Sequence, residues 1–195
     1  YNYPRIGGVK RDIPIGFADR MIAKVKLFEK RIEEYEMMLD ESTIWLVRLQ
    51  GVGYANAEEM VEAGVSGPNV RAAGVNYDIR WAHPYSVYDE IDWEPAVEKP
   101  TSVKGADCYD RYRVRIEEMR QSCRMLLDAI EKIPGGKNTH YSSGDEMIYT
   151  KAPTRAPEGA TGFSNYECTR GASQFYVQGG GEGRGKMPYL SLIHI

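Results

Sequence analysis

Residues 107–136 read DCYDRYRVRIEEMRQSCRMLLDAIEKIPGG, and this stretch decides the fold class of the chain. Its apolar residues recur at alternating spacings of four and three, which is typical of a helix that packs lengthwise on partner helices. The proline and two glycines at its end do not continue a helix, so the sequence predicts a helix that ends near residue 133. The apolar stripe consists of Tyr112, Ile116, Met119, Cys123, Leu126, Ile130 and Ile133.

A second long amphipathic helix is predicted nearer the start of the chain. Asp12 and Pro14 are typical of a helix start, because aspartate caps free amides and proline is tolerated in the first turn. Short polar side chains within residues 40–43 compete for the backbone and indicate its end. Two long helices joined by a structured insertion predict a helical bundle, so we expect a mainly α fold with a small β element. The apolar positions of this helix are Phe17, Met21, Val25, Phe28, Ile32, Tyr35 and Leu39.

The insertion between the two helices is predicted to consist of short pieces. Residues 44–49 form an apolar run that fits either a helix or a strand. Asn56 with Glu59 three residues later is typical of a capping box, and Gly64 is typical of the end of the short helix that follows. Prolines interrupt residues 84–106, the aromatic-rich crossing segment, which we therefore expect to be ordered but irregular.

The remaining segments are predicted to be loops and one hairpin. Residues 1–11 are rich in Gly, Pro and Tyr and are expected to form a loop that leads into the first helix. Residues 135–162 are polar and rich in Gly and Pro, which also favours a loop. Residues 163–168 and 173–178 look like two short strands, and the Thr-Arg-Gly sequence between them favours a hairpin.

The composition argues against several classes of protein. The chain has 195 residues, with 25 Lys and Arg against 28 Asp and Glu, and a formal net charge of −3. This near-balance argues against a nucleic-acid binder, which normally has a basic excess or a basic face. The mean hydropathy is −0.50, and no run approaches the length of a membrane-spanning helix. The cysteines, Cys108, Cys123 and Cys168, are too few and too scattered for a disulfide scaffold or a self-contained metal site.

The first half of the 107–136 stretch is rich in arginine. One interpretation is a solvated helix face on which ion pairs form with neighbouring acidic residues. The other is a face that docks other subunits, since planar guanidinium groups suit interface carboxylates. The pattern leaves both open. The charged residues concerned are Arg111, Arg113, Arg115, Arg120 and Arg124, beside Glu117, Glu118 and Asp128.

A second charged stretch, residues 67–80, lacks helical periodicity. It reads GPNVRAAGVNYDIR, so that Arg71, Asp78 and Arg80 stand among small residues. Buried charges of this kind must be paired with one another or lie beside another charged centre. Structural ion pairing and a functional site are equally compatible with the pattern.

Five motifs occur in an order that points to one known family. They are Arg5-Ile-Gly-Gly8-Val, Asp12-Ile-Pro14, residues 67–80, Pro84-Tyr85-Ser-Val-Tyr88 and residues 107–122. In this order and at these separations they resemble the 49-kilodalton (D) subunit family of respiratory complex I, the NADH–quinone oxidoreductase. The resemblance covers most of residues 3–134 and is weaker at Thr169-Arg-Gly171 and Pro188-Tyr189.

The resemblance implies a fold, cofactors and partners. The expected fold is the helical-bundle core of the hydrogenase-large-subunit-like proteins, incomplete in this chain. The expected place is the peripheral arm of a membrane-bound complex, at the cytoplasmic face of the cell membrane, next to the iron–sulfur small subunit, the 30-kilodalton (C) subunit and the membrane-arm subunits. There, electrons from NADH, which binds in a distant subunit, reach quinone through a terminal 4Fe–4S cluster that the small subunit holds. The energy released drives proton translocation in other subunits.

The resemblance also assigns roles to residues. The first motif lies in the loop that is close to the cluster in the family, where glycines let a backbone approach closely and a cation stabilises the reduced cluster. No catalytic residue and no metal ligand is expected in this chain. The residues expected near the iron–sulfur cluster are Arg5, Gly7 and Gly8. A structural charge cluster is expected to consist of Arg71, Asp78 and Arg80, and an interface is expected to contain Arg111, Arg115 and Arg120.

The chain is expected to divide into four parts. Residues 1–134 are expected to be the helical core, 135–162 a loop and 163–189 a small β element. For residues 190–195 two origins stay open, native sequence or a non-native tail, since the family commonly continues after Pro-Tyr with a basic strand. The His and Tyr that meet the quinone in the family precede residue 1, so we expect a middle fragment that is inactive by itself.

Two other functions stay open at this stage. The large subunit of a membrane-bound, energy-converting nickel–iron hydrogenase, or of a relative linked to coenzyme F420, shares these motifs. It needs two Cys-x-x-Cys pairs, which would flank this stretch, and the chain itself contains none. The other is an isolated helical interaction module, against which the aromatic crossing segment and the arginine-rich helix argue. The quinone type and the electron donor (NADH, reduced F420 or ferredoxin) also stay open.

Overall fold

The computed structural model describes residues 13–133 and 159–179 in full, together with the backbone of four strands outside these ranges. This part of the chain contains six helices and two three-stranded antiparallel sheets. The predicted fold class, mainly α with a small β element, is therefore confirmed. None of the described helices is long and apolar enough to cross a membrane.

The two long helices lie side by side and antiparallel. α1 spans Phe17–Asp40 and α6 spans Cys108–Lys132, which confirms both predicted helices. At one end of the pair, the hydroxyl of Tyr109 near the start of α6 donates to the Asp40 carboxylate at the end of α1 (3.1 Å). Between them lies an apolar core whose buried side chains are Val25, Ile32, Ile116 and Cys123.

The two helices begin in different ways. Asp107 and Asp110 form a capping box at the start of α6, and each carboxylate accepts a hydrogen bond from the backbone N–H of the other residue. α1 has no side-chain cap, and Gly16 precedes it in a left-handed conformation (φ 70°). Pro14 therefore lies in a turn before the helix, where its carbonyl accepts from the first helical N–H (3.0 Å). This corrects the predicted start, while Asp12 lies outside the described residues.

Four short helices occupy the insertion between α1 and α6. The choice left open at residues 44–49 is resolved in favour of a helix, and the predicted Asn56–Glu59 capping box is confirmed. The third and fourth of these helices are not predicted, because their five and four residues are too few to display a helical period. The bounds are α2 Thr43–Leu49, α3 Ala57–Glu62, α4 Pro68–Ala72 and α5 Ile79–Ala82.

A second apolar core forms where α3 and α4 pack near the start of α6. Val70 and Ala72, the neighbours of Arg71 in the sequence, belong to this core, and Arg71 is therefore buried as well. The buried members of the core are Met60, Val70, Ala72, Ala73, Ala106 and Val114.

The first sheet pairs strands that precede α1 in the sequence with a strand that follows α6. Its strands are β1 (Pro4–Arg5), β2 (Gly8–Val9) and β3 (Ile148–Tyr149), paired in that order. This corrects the prediction that residues 1–11 and 135–162 are loops throughout. A two-residue strand that pairs with a segment far away in the sequence leaves no local pattern to detect.

The second sheet contains the predicted hairpin. β4 spans Thr161–Cys168 and β5 spans Gly171–Gln178, which confirms a hairpin with a start two residues earlier than predicted. β6 spans Tyr189–His194 and pairs with the other edge of β5. The backbone pairing therefore continues across the boundary predicted at residue 189.

Candidate functional site

Arg71 is buried in the middle of the protein, with 2% of its side chain exposed. Gly67 precedes α4 with φ 73°, and Pro68 occupies the first position of the helix, where its fixed φ favours a helix start. The turn that follows places Val70 and Ala72 in the second apolar core, and Arg71 is held between them. A guanidinium in such a place must be paired, because an isolated buried charge is costly.

Three carboxylates surround the guanidinium of Arg71. Its Nη2 atom lies 2.6 Å from Oε1 of Glu118 on α6, and its Nε atom donates to the same oxygen at 3.2 Å. Its Nη1 atom lies 3.0 Å from Oδ2 of Asp78 and 2.9 Å from Oε1 of Glu167 on β4, and it also donates to the carbonyl of Tyr77 (3.1 Å). Arg71 therefore connects α4 with α6, with the start of α5 and with the β4–β5 hairpin.

Asp78 binds the second arginine of the cluster. Its carboxylate is fully buried, and it accepts two hydrogen bonds from the Arg80 guanidinium, at 3.0 and 2.7 Å. It also caps α5 by accepting the backbone N–H of Arg80 (2.9 Å). The guanidinium carbon of Arg80 lies 4.8 Å from the ring centroid of Trp93 and 5.7 Å from that of Tyr88. Burial opposes the charge of Arg80, but the hydrogen bond and the charge of Asp78 outweigh it and raise the pKa of Arg80 above its ordinary value.

Glu167 comes from the hairpin and is nearly as buried as Arg71, with 4% of its side chain exposed. Its Oε2 atom accepts a long hydrogen bond from the backbone N–H of Ile79 (3.4 Å). Its own backbone N–H donates to the hydroxyl of Tyr85 (3.2 Å). Burial raises the pKa of the Glu167 carboxyl, and the negative charge of Asp78 raises it further, while Arg71 acts in the opposite direction.

Two glycines allow the hairpin to lie directly against the start of α4. A Cβ atom added to Gly67 would lie 2.3 Å from the Cα of Gly171, and one added to Gly171 would lie 2.6 Å from the Ser66 hydroxyl oxygen. Gly171 also has φ 130°, which side chains rarely tolerate. The Ser66 hydroxyl accepts a hydrogen bond from the backbone N–H of Ala172 (2.8 Å). This contact holds the turn of the hairpin next to the charge cluster.

The structure brings together the three residues that the sequence places in one charged stretch and adds two more. Glu118 is visible in the sequence only as one acidic residue on an arginine-rich helix. Glu167 is not predicted at all, because it lies 96 residues from Arg71 in the sequence. The imbalance within residues 67–80, two arginines against one aspartate, is the signal that a further buried carboxylate is needed.

The arginines of α6 mostly bind within the chain. Arg111 donates to the carbonyl of Gly53 (2.8 Å), and Arg120 forms an ion pair with Glu36 of α1. Arg115 is exposed, and it donates to a carbonyl of its own helix at 2.6 Å. Ion pairing on the helix is thus present, while a role of these residues at an interface stays a prediction.

The loop expected to lie near a cluster is described only in part. Arg5 in β1 pairs with Gly8 in β2, and the two strands run antiparallel. Gly7 lies outside the described residues. The expected closeness of this motif to an iron–sulfur cluster stays a prediction.

The charge cluster is built for ion pairing rather than for metal binding. Within the described ranges, no group of three or more His, Cys, Asp or Glu side chains could hold a metal ion. The cluster contains two arginines, and their positive charges pair with the carboxylates around them. Its chemistry is therefore electrostatic: it fixes three segments relative to one another, and it contains one carboxylate more than it has cations.

Comparisons with known proteins identify relatives over nearly the whole chain. The profile of the family described as "Respiratory-chain NADH dehydrogenase, 49 Kd subunit" matches residues 1–191. A subunit of the NADH-quinone oxidoreductase of Thermodesulfovibrio yellowstonii is 38% identical over 220 aligned positions, which cover 100% of this chain and 53% of that protein. A subunit of the NAD(P)H-quinone oxidoreductase of a Synechococcus strain is 33% identical over 194 positions, which cover 91% of this chain and 48% of that protein.

A solved structure is similar to nearly the whole chain. It is a chain of the membrane-bound sulfane sulfur reductase, an archaeal respiratory membrane complex, with a TM-score of 0.70 and 28% sequence identity. The similarity covers 95% of this chain and 48% of that chain. The present chain thus spans about half the length of these relatives.

Proposed function

This chain belongs to the family of the 49 kDa subunit of the respiratory-chain NADH dehydrogenase, and on that premise we propose that the full-length protein helps to form a quinone-reducing module. Electrons pass there from a terminal 4Fe–4S cluster, held by a neighbouring subunit, to quinone. They enter the complex from NADH bound in a distant subunit, and their transfer is coupled to proton translocation. The observation that carries the proposal is the family match over residues 1–191.

The proposed surroundings follow from the same premise. We place the protein peripherally at the cytoplasmic face of the cell membrane, against the iron–sulfur small subunit, the 30 kDa (C) subunit and the membrane-arm subunits. The proposed fold of the complete protein is the helical bundle of hydrogenase large subunits, of which α1 and α6 are two members. Two features support this: relatives named as subunits of quinone oxidoreductases, and a similar chain that belongs to a respiratory membrane complex.

Roles for two groups of residues belong to this proposal. Arg5, Gly7 and Gly8 lie close to the terminal cluster, where a cation stabilises its reduced, more negative state. Arg115 is an exposed arginine of α6 and contacts a neighbouring subunit, while Arg111 and Arg120 support that surface from within the chain. The chain by itself has no quinone reductase activity, because the cluster and the remaining half of the subunit are supplied from elsewhere.

A deletion experiment tests the proposed function. We expect membranes of a strain that lacks the full-length gene to lose NADH-driven quinone reduction, and a plasmid copy of that gene to restore it. Oxidation of NADH by a water-soluble artificial acceptor controls for the site at which electrons enter the complex. Unchanged quinone reduction in the deletion strain would contradict the proposal.

A different electron acceptor is the second candidate. The similar solved structure comes from a complex named for sulfane sulfur reduction, which makes sulfane sulfur the alternative acceptor. Relatives named for quinone have higher sequence identity, 38% against 28%, which favours quinone. Sulfur-dependent or hydrogen-dependent electron transfer that disappears on deletion, with quinone reduction unchanged, would favour the sulfur reductase or the hydrogenase instead.

A further inference from the structure

The Nη1 atom of Arg71 has more acceptors than it has hydrogens. It carries two N–H bonds, and three oxygens lie within 3.1 Å of it: the Tyr77 carbonyl, Oδ2 of Asp78 and Oε1 of Glu167. Its two N–H groups donate to the Tyr77 carbonyl and to Glu167, so Oδ2 of Asp78 is held at 3.0 Å by charge alone, and both carboxylates lie within 3.0 Å of one nitrogen. Because all of these side chains are buried, solvent does not screen the repulsion between the carboxylates.

Glu167 is the least well satisfied of the three carboxylates. Asp78 accepts two hydrogen bonds from the Arg80 side chain and a third from the Arg80 backbone. Glu118 accepts from two nitrogens of Arg71, and 23% of its side chain is exposed to water. Glu167 is 4% exposed, and among the described contacts its carboxylate accepts one hydrogen bond from Arg71 (2.9 Å) and a long one from the N–H of Ile79 (3.4 Å).

We propose that this cluster binds a proton, that Glu167 carries it, and that the proton controls how tightly the β4–β5 hairpin is held against the helices. Protonation neutralises the one carboxylate in excess of the two arginines. It also removes the repulsion between Glu167 and the Asp78 carboxylate, whose Oδ2 atom lies 3.0 Å from the same Nη1 atom. The proton comes from solvent, and no bond other than O–H forms or breaks.

The hairpin is the element that responds, because Glu167 is its buried anchor. The other described polar contacts of the hairpin with the helical part are uncharged: the Glu167 N–H with Tyr85, and the Ala172 N–H with Ser66. If the hairpin detaches, Glu167 reaches water and recovers the ordinary acidity of a glutamate. A proton is therefore bound more tightly when the hairpin is docked, and by linkage proton binding favours docking.

The charges that face Glu167 come from each element packed around it. They are Arg71 on α4, Asp78 and Arg80 at α5, and Glu118 on α6, with the Tyr85 hydroxyl on the crossing segment. Burial is the largest influence on the pKa of Glu167 and raises it, Asp78 raises it further, and Arg71 lowers it. The stabilisation of the docked state is thus fully present below the ordinary pKa of glutamate and is lost as pH rises through the raised pKa.

Hydrogen–deuterium exchange of the hairpin tests this proposal independently of any quinone assay. The sample is the full-length protein purified with its natural partners, and the measurement is the protection of peptides within residues 161–178, corrected for intrinsic exchange. We expect wild-type protection to fall by up to about tenfold for each pH unit between the ordinary and the raised pKa of Glu167. In Glu167→Gln, which keeps the shape but carries no charge, protection is expected to stay high and constant.

Two further variants complete the test. Glu33→Gln removes an exposed glutamate of α1 and should retain the wild-type pH dependence. Glu118→Gln removes a negative charge at the edge of the cluster, so the loss of protection should move to lower pH, and this variant decides the matter if Glu167→Gln fails to assemble. Wild-type protection that does not fall with pH, a Glu167→Gln protein that keeps the wild-type dependence, or an unmoved transition in Glu118→Gln would each overturn the proposal.

Discussion

Nη1 of Arg71 lies 2.9 Å from Oε1 of Glu167, although 96 residues separate the two in the sequence. This ion pair joins the β4–β5 hairpin to the helical part of the protein. Because the same guanidinium also holds Glu118 on α6 and Asp78 at α5, one side chain fixes the relative positions of three segments. Removing Arg71 would leave these buried carboxylates without their shared cation.

Replacing Arg71 is expected to be severely destabilising. In Arg71→Met three carboxylates lose their shared cation, and removing one partner of a buried pair typically costs about 3–5 kcal/mol. The measurement is thermal unfolding of the full-length protein. Arg31→Met, which breaks an exposed ion pair with Glu34, is the control and should change stability only slightly. Equal stability of the two variants would show that the cluster does not hold these segments together.

The contact between the hairpin and α4 requires glycine at residue 171. In Gly171→Ala the new Cβ would lie 2.6 Å from the Ser66 hydroxyl oxygen and 2.9 Å from Ser66 backbone atoms, at a φ of 130°. We expect a loss of about 1–3 kcal/mol and faster proteolysis of the hairpin. Gly162→Ala in the paired strand meets nothing within 4 Å and is the matched control, expected to be neutral or slightly stabilising. A fully stable Gly171→Ala protein would rule out this close approach.

The pairing of α1 with α6 depends on Ile32. This side chain is fully buried, and it packs in the same core as Ile116 and Cys123. Ile32→Ala removes buried methyl groups and leaves a cavity, so the free energy of unfolding should fall by about 2–5 kcal/mol. Lys30→Ala on the exposed side of the same helix should leave it nearly unchanged. Similar unfolding temperatures for the two variants would mean that this seam is not the core of the helix pair.

Arg5 is expected to influence the terminal cluster electrostatically. Arg5→Ala removes a cation that stabilises the reduced cluster, so the reduction potential of that cluster should become more negative in the intact complex. Redox titration followed by electron paramagnetic resonance measures this potential. Arg5→Lys keeps the positive charge and should stay near the wild-type value. A potential that is unaffected by Arg5→Ala would separate this residue from the cluster.

Sequence reasoning identifies the elements that repeat locally and misses those that depend on distant partners. α1 and α6 are predicted because long apolar stripes continue over six or more turns, and the α3 capping box is predicted because both of its members are three residues apart. α4 and α5 are too short to show a period. The strand pairing of Gly8–Val9 with Ile148–Tyr149 is fixed by tertiary contacts that neither segment encodes alone.

The same distinction applies to the charge cluster. Arg71, Asp78 and Arg80 stand out in the sequence because two cations and one anion lie among small residues, and buried charges need partners. The identity of those partners is decided by packing: Glu118 lies on a helix rich in other acidic residues, and Glu167 on a strand with no charge pattern around it. The need for a further carboxylate is therefore readable from the sequence, whereas its position is not.

The most direct test of the proposed function is the activity of the complex that contains the full-length protein, purified through an affinity tag on that protein. We expect NADH-driven quinone reduction to co-purify with the tag, and we expect that neither the 195-residue chain by itself nor the complex without NADH reduces quinone. An intact complex that oxidises NADH or hydrogen and does not reduce quinone would contradict the proposed function.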